Sequence, residues 1–366
     1  MTALKDRIIR QIGREGPMTV AEYMSLCLLD PIDGYYPTRD PLGSDGDFIT
    51  APEISQMFGE VLGLWAIQSW QDMGAPDRVN LIELGPGRGI MMSDMLRSTR
   101  LAPDFFKALS VTLIEASPAL EAIQARTLAE SGVSVNWTTD LAKVPNGPSI
   151  IVGNEFLDCL PIRQFIQKDR FAGRAGWHER KVMVDNEERL AFGTNPAPIS
   201  EGLQAQLPEG QSEAVNDGLL EINLAVPQLL DTLKARFDTA PGRALFIDYG
   251  PDTTEFGDSL QALKRHEKIG VFDAPGNSDL TARVDFAALG ETAQALGLTQ
   301  AGPVSQRAFL SKLGIEMRAV ALTRAQADAK PKLLRQLNRL MGEDEMGSLF
   351  KAVCLGSEDM ESSLGF

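Results

Sequence analysis

The chain has 366 residues, 43% hydrophobic and 23% charged, an ordinary globular composition with length for two domains or for one large domain with an insertion. A net charge of −15 excludes nucleic-acid binding through a basic surface and suits a cationic ligand or a basic protein partner. Three scattered cysteines, two histidines and no membrane-length apolar run argue against a disulfide framework, a metal-ligand cluster and membrane insertion.

The N-terminus mixes acids with bases and lacks a signal-peptide core, which with the cysteine usage predicts a reducing, cytoplasmic setting. Apolar spacing predicts helices over 3–13 and 19–29, with Thr19 as N-cap and Glu22 as its capping-box partner. Residues 30–53 are rich in Pro, Gly and Asp and carry Tyr35 and Tyr36, the composition of a functional loop or of a linker. A helix over 54–73 carries Trp65 and Trp70, both read as core. Strands over 79–84, 109–115, 133–137 and 149–153 alternate with helices over 90–99 and 118–130, which predicts a mostly parallel, doubly wound α/β sheet. Residues 162 to about 192 read as antiparallel strands and 194–212 as a polar connection. A helix over 222–237 leads to a strand over 243–249. Residues 270–289 read as a loop entering a helix, and the remainder alternates helix and strand, ending near KLLRQLNRLM.

The stretch LIELGPGRGIMM places Gly85, Gly87 and Gly89 between a strand and a helix. A dinucleotide fingerprint wants its third glycine one position later, where Ile90 stands. Glu83 at the strand end would repel a pyrophosphate on the helix N-terminus, and Pro86 removes a backbone donor. A ligand with a positive centre reverses both objections. S-adenosylmethionine carries a sulfonium and an ammonium against one carboxylate. Glu83 attracts that positive end, and the glycine backbone admits the methionyl portion. E-x-G-x-G-x-G after a strand is the usual form in a class I methyltransferase. Glu115, which ends the second strand, is placed to accept the hydroxyls of a ribose. Ala116 leaves the adenine edge open, and Asp140, with Leu141 beside it, is placed to accept from an adenine amino group. The competing reading is a glycine turn kept for close packing alone.

Asn154, Glu155 and Asp158, in NEFLDCLP, follow the fourth strand and should face the same crevice. Two carboxylates match the planar donor fork of a guanidinium. They would align a nitrogen with the methyl–sulfur bond and accept the departing proton. A lysine or another amine fits the same pair. An ordinary helix start, with Asn as cap and acids in the first turn, fits the spacing equally well.

LIELGPGRGIMM and NEFLDCLP, together with GDFITAPEISQMFGEVLG upstream, FIDYG at 246–250 and PGNSDLTARVDF at 275–286, resemble the MidA family from about Gly16 to the C-terminal region. These are bacterial and mitochondrial proteins that include the respiratory complex I assembly methyltransferase. The resemblance implies a class I, seven-stranded methyltransferase fold with inserted segments and S-adenosyl-L-methionine as cofactor. It implies a protein-arginine acceptor on a complex I core subunit, in support of assembly. Over this chain it implies a helical region and active-site loop at 1–75 and a methyltransferase domain at 76–366, with an insertion at about 163–240. Glu83, Gly85, Gly87 and Glu115 carry over as cofactor residues, and Asn154, Glu155, Asp158 and Pro161 match the motif after strand four. Cys159 stands where the family has a small residue, and it is read as packing.

Within the upstream motif, Asp47, Phe48, Thr50 and Glu53 are expected to close over the cofactor, or Phe48 and Pro52 to dock the N-terminal helices. Tyr35 and Tyr36 flank a substrate channel or pack in the core. Asp248-Tyr249-Gly250 borders the acceptor pocket or is a bare turn. Asp285 is read as a cap, Asp279 as a cap or a site residue, and His178 and His266 as solvated or satisfied. Two other functions stay open: methylation of a small metabolite, and a non-catalytic assembly factor that keeps the cofactor as a structural ligand. The compartment is cytoplasmic for a bacterial chain and the mitochondrial matrix for a eukaryotic one. The oligomeric state, a homodimer included, is left open.

Overall fold

A computed structural model describes residues 3–38, 49–171, 174–205, 207, 218–357 and 363–366. The chain opens with α1 (Ala3–Glu15), β1 (Met18–Thr19) and α2 (Val20–Leu29), followed by α3 (Tyr35–Thr38), α4 (Ala51–Ile54) and α5 (Gln56–Asp72). The reciprocal capping box of Thr19 and Glu22 forms as the sequence predicts. Next come β2 (Val79–Leu84), α6 (Ile90–Thr99), α7 (Pro103–Ala108), β3 (Leu109–Ile114), α8 (Pro118–Thr127), β4 (Val135–Thr138) and β5 (Ser149–Asn154). A strand-rich segment follows, with β6 (Ile162–Phe171), β7 (Arg174–Val184), β8 (Leu190–Pro198), α9 (Glu201–Gln204) and β9 (Leu219–Asn223). After α10 (Ala225–Phe237) and β10 (Gly242–Tyr249) come three short strands, β11 (Gln261–Lys264), β12 (Glu267–Ile269) and β13 (Asp279–Thr281). The chain closes with α11 (Phe286–Ala295), β14 (Thr299–Ser305), α12 (Gln306–Lys312), α13 (Ile315–Ala325), α14 (Lys330–Met341), α15 (Met346–Leu349) and β15 (Phe350–Gly356).

Seven strands form the main sheet in the order β14-β15-β10-β5-β2-β3-β4. The pairs from β10 to β4 are parallel, and β15 runs antiparallel to both β10 and β14. That reversed strand separates the sheet from the dinucleotide fold, whose six strands are all parallel. Strand order reverses between β2 and β5, and ligands of open α/β sheets sit at such a point, beyond the carboxyl ends of the strands. The sites at Glu83 and Asn154 are those two ends.

Each face of the sheet is covered by its own apolar layer. On one side Leu81, Val111 and Val152 meet Phe58, Leu62 and Trp65 of α5 and Met92 and Met95 of α6. On the other, Ile82, Ile151 and Phe246 meet Leu230 and Leu233 of α10 and Phe286 and Leu289 of α11. Alternate residues of β2 thus serve opposite layers, as the period of a strand requires. Helices α1 and α2 pack elsewhere, with Ile162 and Val182 of the second sheet and Leu280 of β13. The second sheet runs β1-β7-β6-β9 with β8 on β7, and β12-β11-β13 form a third.

Helices α5 and α6 touch through glycine. A Cβ on Gly63 would lie 2.7 Å from the Met95 carbonyl and 2.1 Å from Ser98 Oγ. The backbone on the far side cannot yield cheaply, so Gly63→Val is expected to cost about 3 kcal/mol or more. A urea unfolding midpoint measures it, and a loss under about 0.5 kcal/mol contradicts the packing.

The predicted helix over 222–237 begins later. Ile222 belongs to β9, which pairs with β6, and Asn223 Oδ1 then accepts from the Ala225 and Val226 N–H groups to open α10. The short strand β13 falls within a segment expected to be loop, and β15 lies beyond the last predicted helix.

Candidate active site

A cleft of about 840 Å³ opens at the switch point. Its floor is built from the ends of β2, β3 and β5, and its lining includes Glu83, Gly85, Gly87, Glu115, Ala116, Asn154, Glu155 and Asp158. Thr50, Pro52 and Glu53 at α4, Tyr36 at α3 and Leu28 and Leu29 at α2 close the other walls. Sequence motifs separated by more than a hundred positions therefore meet in one place. Three expected cofactor residues do not line it. Gly89 is the left-handed N-cap of α6 and lies over Gln124, Asp140 turns its carboxylate onto the Ala142 N–H, and Leu141 is core. Thr139 lines the cleft in their stead. Asp47 and Phe48 lie outside the described residues.

The glycine turn and its acids fit an adenosylmethionine-like ligand. Gly85 and Gly87 have φ of 62° and 53°, in the left-handed region that a side chain resists. A Cβ on Gly85 would also stand 3.0 Å from the Phe156 ring. Glu83 is 2% exposed, and its Oε2 has no hydrogen-bond partner. Burial, with the charge of Glu115 nearby, pushes its carboxyl well above the usual range. A buried carboxylate oxygen without a donor calls for a cation, which a sulfonium or an ammonium supplies. Glu115 is fixed by the Ser117 N–H at 2.7 Å and by Gln124 Nε2 at 2.9 Å.

Gln124 was not foreseen. Its amide also donates to the Gly87 carbonyl at 2.7 Å, and its oxygen accepts from the Trp137 indole at 2.9 Å. It ties the glycine turn to Glu115. On one turn of an amphipathic helix nothing distinguishes it from a surface glutamine.

The NEFLD turn is held by a residue that the sequence left between two roles. Asp248, at the end of β10 and 1% exposed, accepts from the backbone N–H groups of Phe156, Leu157 and Asp158 at 3.1, 2.8 and 3.3 Å. It fixes the turn from behind and does not line the cleft. Glu155 is forced to φ 51°, a strained value for a non-glycine residue and a common one at functional sites. Its Oε1 accepts from the Ala51 N–H at 2.9 Å and from Asn154 Nδ2 at 3.0 Å. Burial outweighs those bonds and pushes its carboxyl up to about 7. Asp158 is raised as well, by burial first and then by the neighbouring charges of Asp279 and Glu155.

The remaining candidates divide. Tyr36 lines the cleft, whereas Tyr35, Trp65 and Trp70 are core. Asp285 caps α11 through the Ala288 N–H. Asp279, left open between a cap and a site residue, lines the cleft and accepts from Tyr36 Oη. Cys159 lines it too, its Sγ 3.0 Å from Tyr36 Oη. His178 is buried, with Nδ1 2.9 Å from the Asn195 carbonyl. Among the described residues no group of His, Cys, Asp and Glu could hold a metal ion, and no helix is long and apolar enough to cross a membrane.

A seven-stranded sheet with a reversed β15, a left-handed glycine turn and acids at two adjacent strand ends define a class I S-adenosyl-L-methionine-dependent methyltransferase. Residues 61–304 match the profile of a family of S-adenosyl-L-methionine-dependent methyltransferases. Over 96% of its length the chain is 37% identical to the mitochondrial protein arginine methyltransferase NDUFAF7 of Mus musculus, spanning 83% of that protein. The Homo sapiens protein of that name is 34% identical over 97% of this chain and 83% of its own. A crystal structure from Burkholderia thailandensis bound to S-adenosyl-homocysteine aligns with a TM-score of 0.85 at 26% identity, over 99% of this chain and 94% of the other. The chain belongs to the MidA family of methyltransferases.

Proposed function

We propose that this methyltransferase modifies an arginine of a protein, and that Glu155 is the base that receives the proton. The observation that carries the reading is the pair of acids after β5, Glu155 and Asp158, on the lining that also holds Glu83 and Glu115. Glu53 and Asp279 add two further carboxylates, and Arg88 is the one cation among the described lining residues. Such a wall attracts a cationic acceptor and opposes an anionic one. The mitochondrial relatives named protein arginine methyltransferases favour the same acceptor. Following the family resemblance, the modified protein is a respiratory complex I core subunit and the role is assembly. The enzyme would act in the bacterial cytoplasm or, in a eukaryote, in the mitochondrial matrix.

Bound S-adenosylmethionine supplies an electrophilic methyl on sulfur. Glu83 would hold its positive end, Gly85 and Gly87 its methionyl backbone, and Glu115, with Ala116 beside it, its ribose. Asn154 keeps Glu155 oriented through the bond from its Nδ2. Asp158 and Glu155 would align the guanidinium, so that one nitrogen faces the methyl group and its proton leaves to Glu155. Positioning of this kind, with a base in place, supplies much of the acceleration.

Protonated Glu155 neither attracts the acceptor nor takes its proton, and its carboxyl titrates at about 7. Steady-state kcat/KM is therefore expected to rise with pH through about 7 and to level off above. A flat profile between about pH 6 and 8 contradicts the role.

Purified enzyme with a methyl-labelled donor and a cell lysate tests the acceptor. Label on protein, located by mass spectrometry on arginine, is the expected outcome. Label confined to a small molecule overturns the reading.

A further inference from the structure

We infer that a hollow behind the cleft wall, lined by Arg7, Arg10 and Arg14 of α1, docks an acidic stretch of the protein acceptor that begins about four residues from the methylated arginine. This inference rests on the protein-arginine reading above and adds to it a second contact surface and a sequence context for the acceptor.

Helix α1 buries Leu4, Ile8 and Ile12. Beside that face Arg7, Arg10, Gln11 and Arg14 recur at helical spacing, so that they share one stripe. With Leu26 and Asp30 of α2 they line a hollow of about 670 Å³. Arg7 is balanced by the protein, its guanidinium 2.6 Å from Asp30 and 3.5 Å from Asp33. Arg10 is exposed, and among the described residues no group pairs with it. Arg14 approaches Glu15 at 3.8 Å, with both side chains in solvent, and Glu15 also accepts from Gln11 Nε2. Three guanidiniums against one carboxylate leave the lining positive, on a chain of net charge −15. The molecule as a whole repels an acidic segment, and this hollow attracts one.

The hollow and the cleft share a wall. Ser25, Leu28 and Leu29 of α2 line the cleft, and Leu26 lines the hollow. Just past the helix, Asp30 lines the hollow and its neighbour Pro31 the cleft. The ridge between them carries Leu29, 49% exposed, and Ile32, 69% exposed. Asp30 holds the ridge in shape, since its Oδ1 accepts from the Ile32 and Asp33 N–H groups at 3.0 and 2.9 Å while its Oδ2 pairs with Arg7. A helix with its side chains is about 10 Å across, a span that an extended chain covers in about three residues. An acceptor whose arginine enters the cleft therefore lays an apolar residue on the ridge and its next carboxylates on Arg10 and Arg14. The acids of the cleft set the register: carboxylates directly beside the arginine meet Glu53 and Glu155 and are repelled.

Fluorescence anisotropy of the full chain, saturated with S-adenosylhomocysteine, tests this with synthetic peptides. Each peptide carries one arginine, a leucine near it, and a run of glutamates or of glutamines starting about four positions away on either the N-terminal or the C-terminal side. One glutamate peptide is expected to bind at least about 5-fold more tightly than its glutamine counterpart in dilute buffer, and less than about 2-fold more tightly at about 0.5 M salt. Glutamates moved next to the arginine should give no gain. Arg10→Gln combined with Arg14→Gln should bring the two peptides within about 2-fold of each other, whereas Arg10→Lys combined with Arg14→Lys should keep part of the preference. Both positions are exposed and glutamine and lysine are good helix formers, so α1 should survive either pair. Equal binding of the glutamate and glutamine peptides by wild type, or a preference that the glutamine double variant retains, overturns the groove. A double variant that changes the oligomeric state in light scattering and leaves the peptide preference intact gives the hollow to a second copy of the chain and overturns it too. A glutamate preference that depends on Arg10 and Arg14, with methyl label found on lysine and none on arginine, keeps the groove and removes the arginine reading.

Discussion

Glu155→Gln is expected to lower kcat for methyl transfer about 10²- to 10⁴-fold, with affinity for S-adenosylhomocysteine within about threefold of wild type. The substitution is isosteric, and both hydrogen bonds received by the side chain fall on Oε1, which a glutamine oxygen reproduces. Fold and cleft shape should therefore survive. What is removed is the negative charge and the ability to hold a proton. The pH limb near 7 should vanish with it, because the group that titrates there is gone. Retention of more than about a tenth of wild-type kcat would show that the proton leaves by another route. A variant that loses cofactor affinity in parallel would place Glu155 in the cofactor subsite.

Glu83→Gln is expected to act in two directions at once. It should weaken S-adenosylmethionine binding about 10- to 100-fold, the cost of removing a charged partner from a buried ionic contact. It should also stabilise the ligand-free fold. The carboxyl of Glu83 is raised by burial and by Glu115, from a model-peptide value of 4.5. The fold therefore holds the Glu83 proton more tightly than the unfolded chain does. The stability due to that proton is complete below about 4.5 and is lost as pH rises through the raised value. A neutral glutamine escapes this loss, so the stability gap in favour of the variant should widen from about pH 5 upward. Thermal unfolding at several pH values reads the gap, and calorimetry reads the affinity. A variant less stable than wild type at pH 8 would mean that Glu83 is satisfied by the protein itself.

The parts of this protein that were legible in the sequence are those whose physics is local. Strand β2 and helix α6 fall where period and glycine place them, because a short, mostly apolar strand and a φ-demanding turn leave few alternatives. The capping box at Thr19 is a four-residue device and was equally plain. Non-local arrangements were not. Ile222 continues the apolar spacing that leads into α10, and only the pairing of β9 with β6 makes it strand. β15 lies past the last amphipathic helix, and its place between β10 and β14 depends on partners far away in sequence. In the site, Glu83 and Glu115 could be read because strand ends at a switch point converge by topology alone. Asp248 and Gln124 could not, since each acts through backbone groups about 90 and 37 positions away. Asp140 shows a competing local role: in the short turn after β4 its Oδ1 accepts from the Ala142 N–H, and the residue does not line the cleft.

The central claim is that carboxylates at the switch point select a cationic acceptor beside a cationic methyl donor. Isothermal titration of the enzyme, loaded with S-adenosylhomocysteine, with the acceptor peptide and with the same peptide carrying citrulline tests it most directly. The two ligands share shape and differ in charge. Binding of the arginine peptide at least about 10-fold more tightly, a difference of about 1.4 kcal/mol, is the expected result. Equal affinity for the two peptides would contradict it.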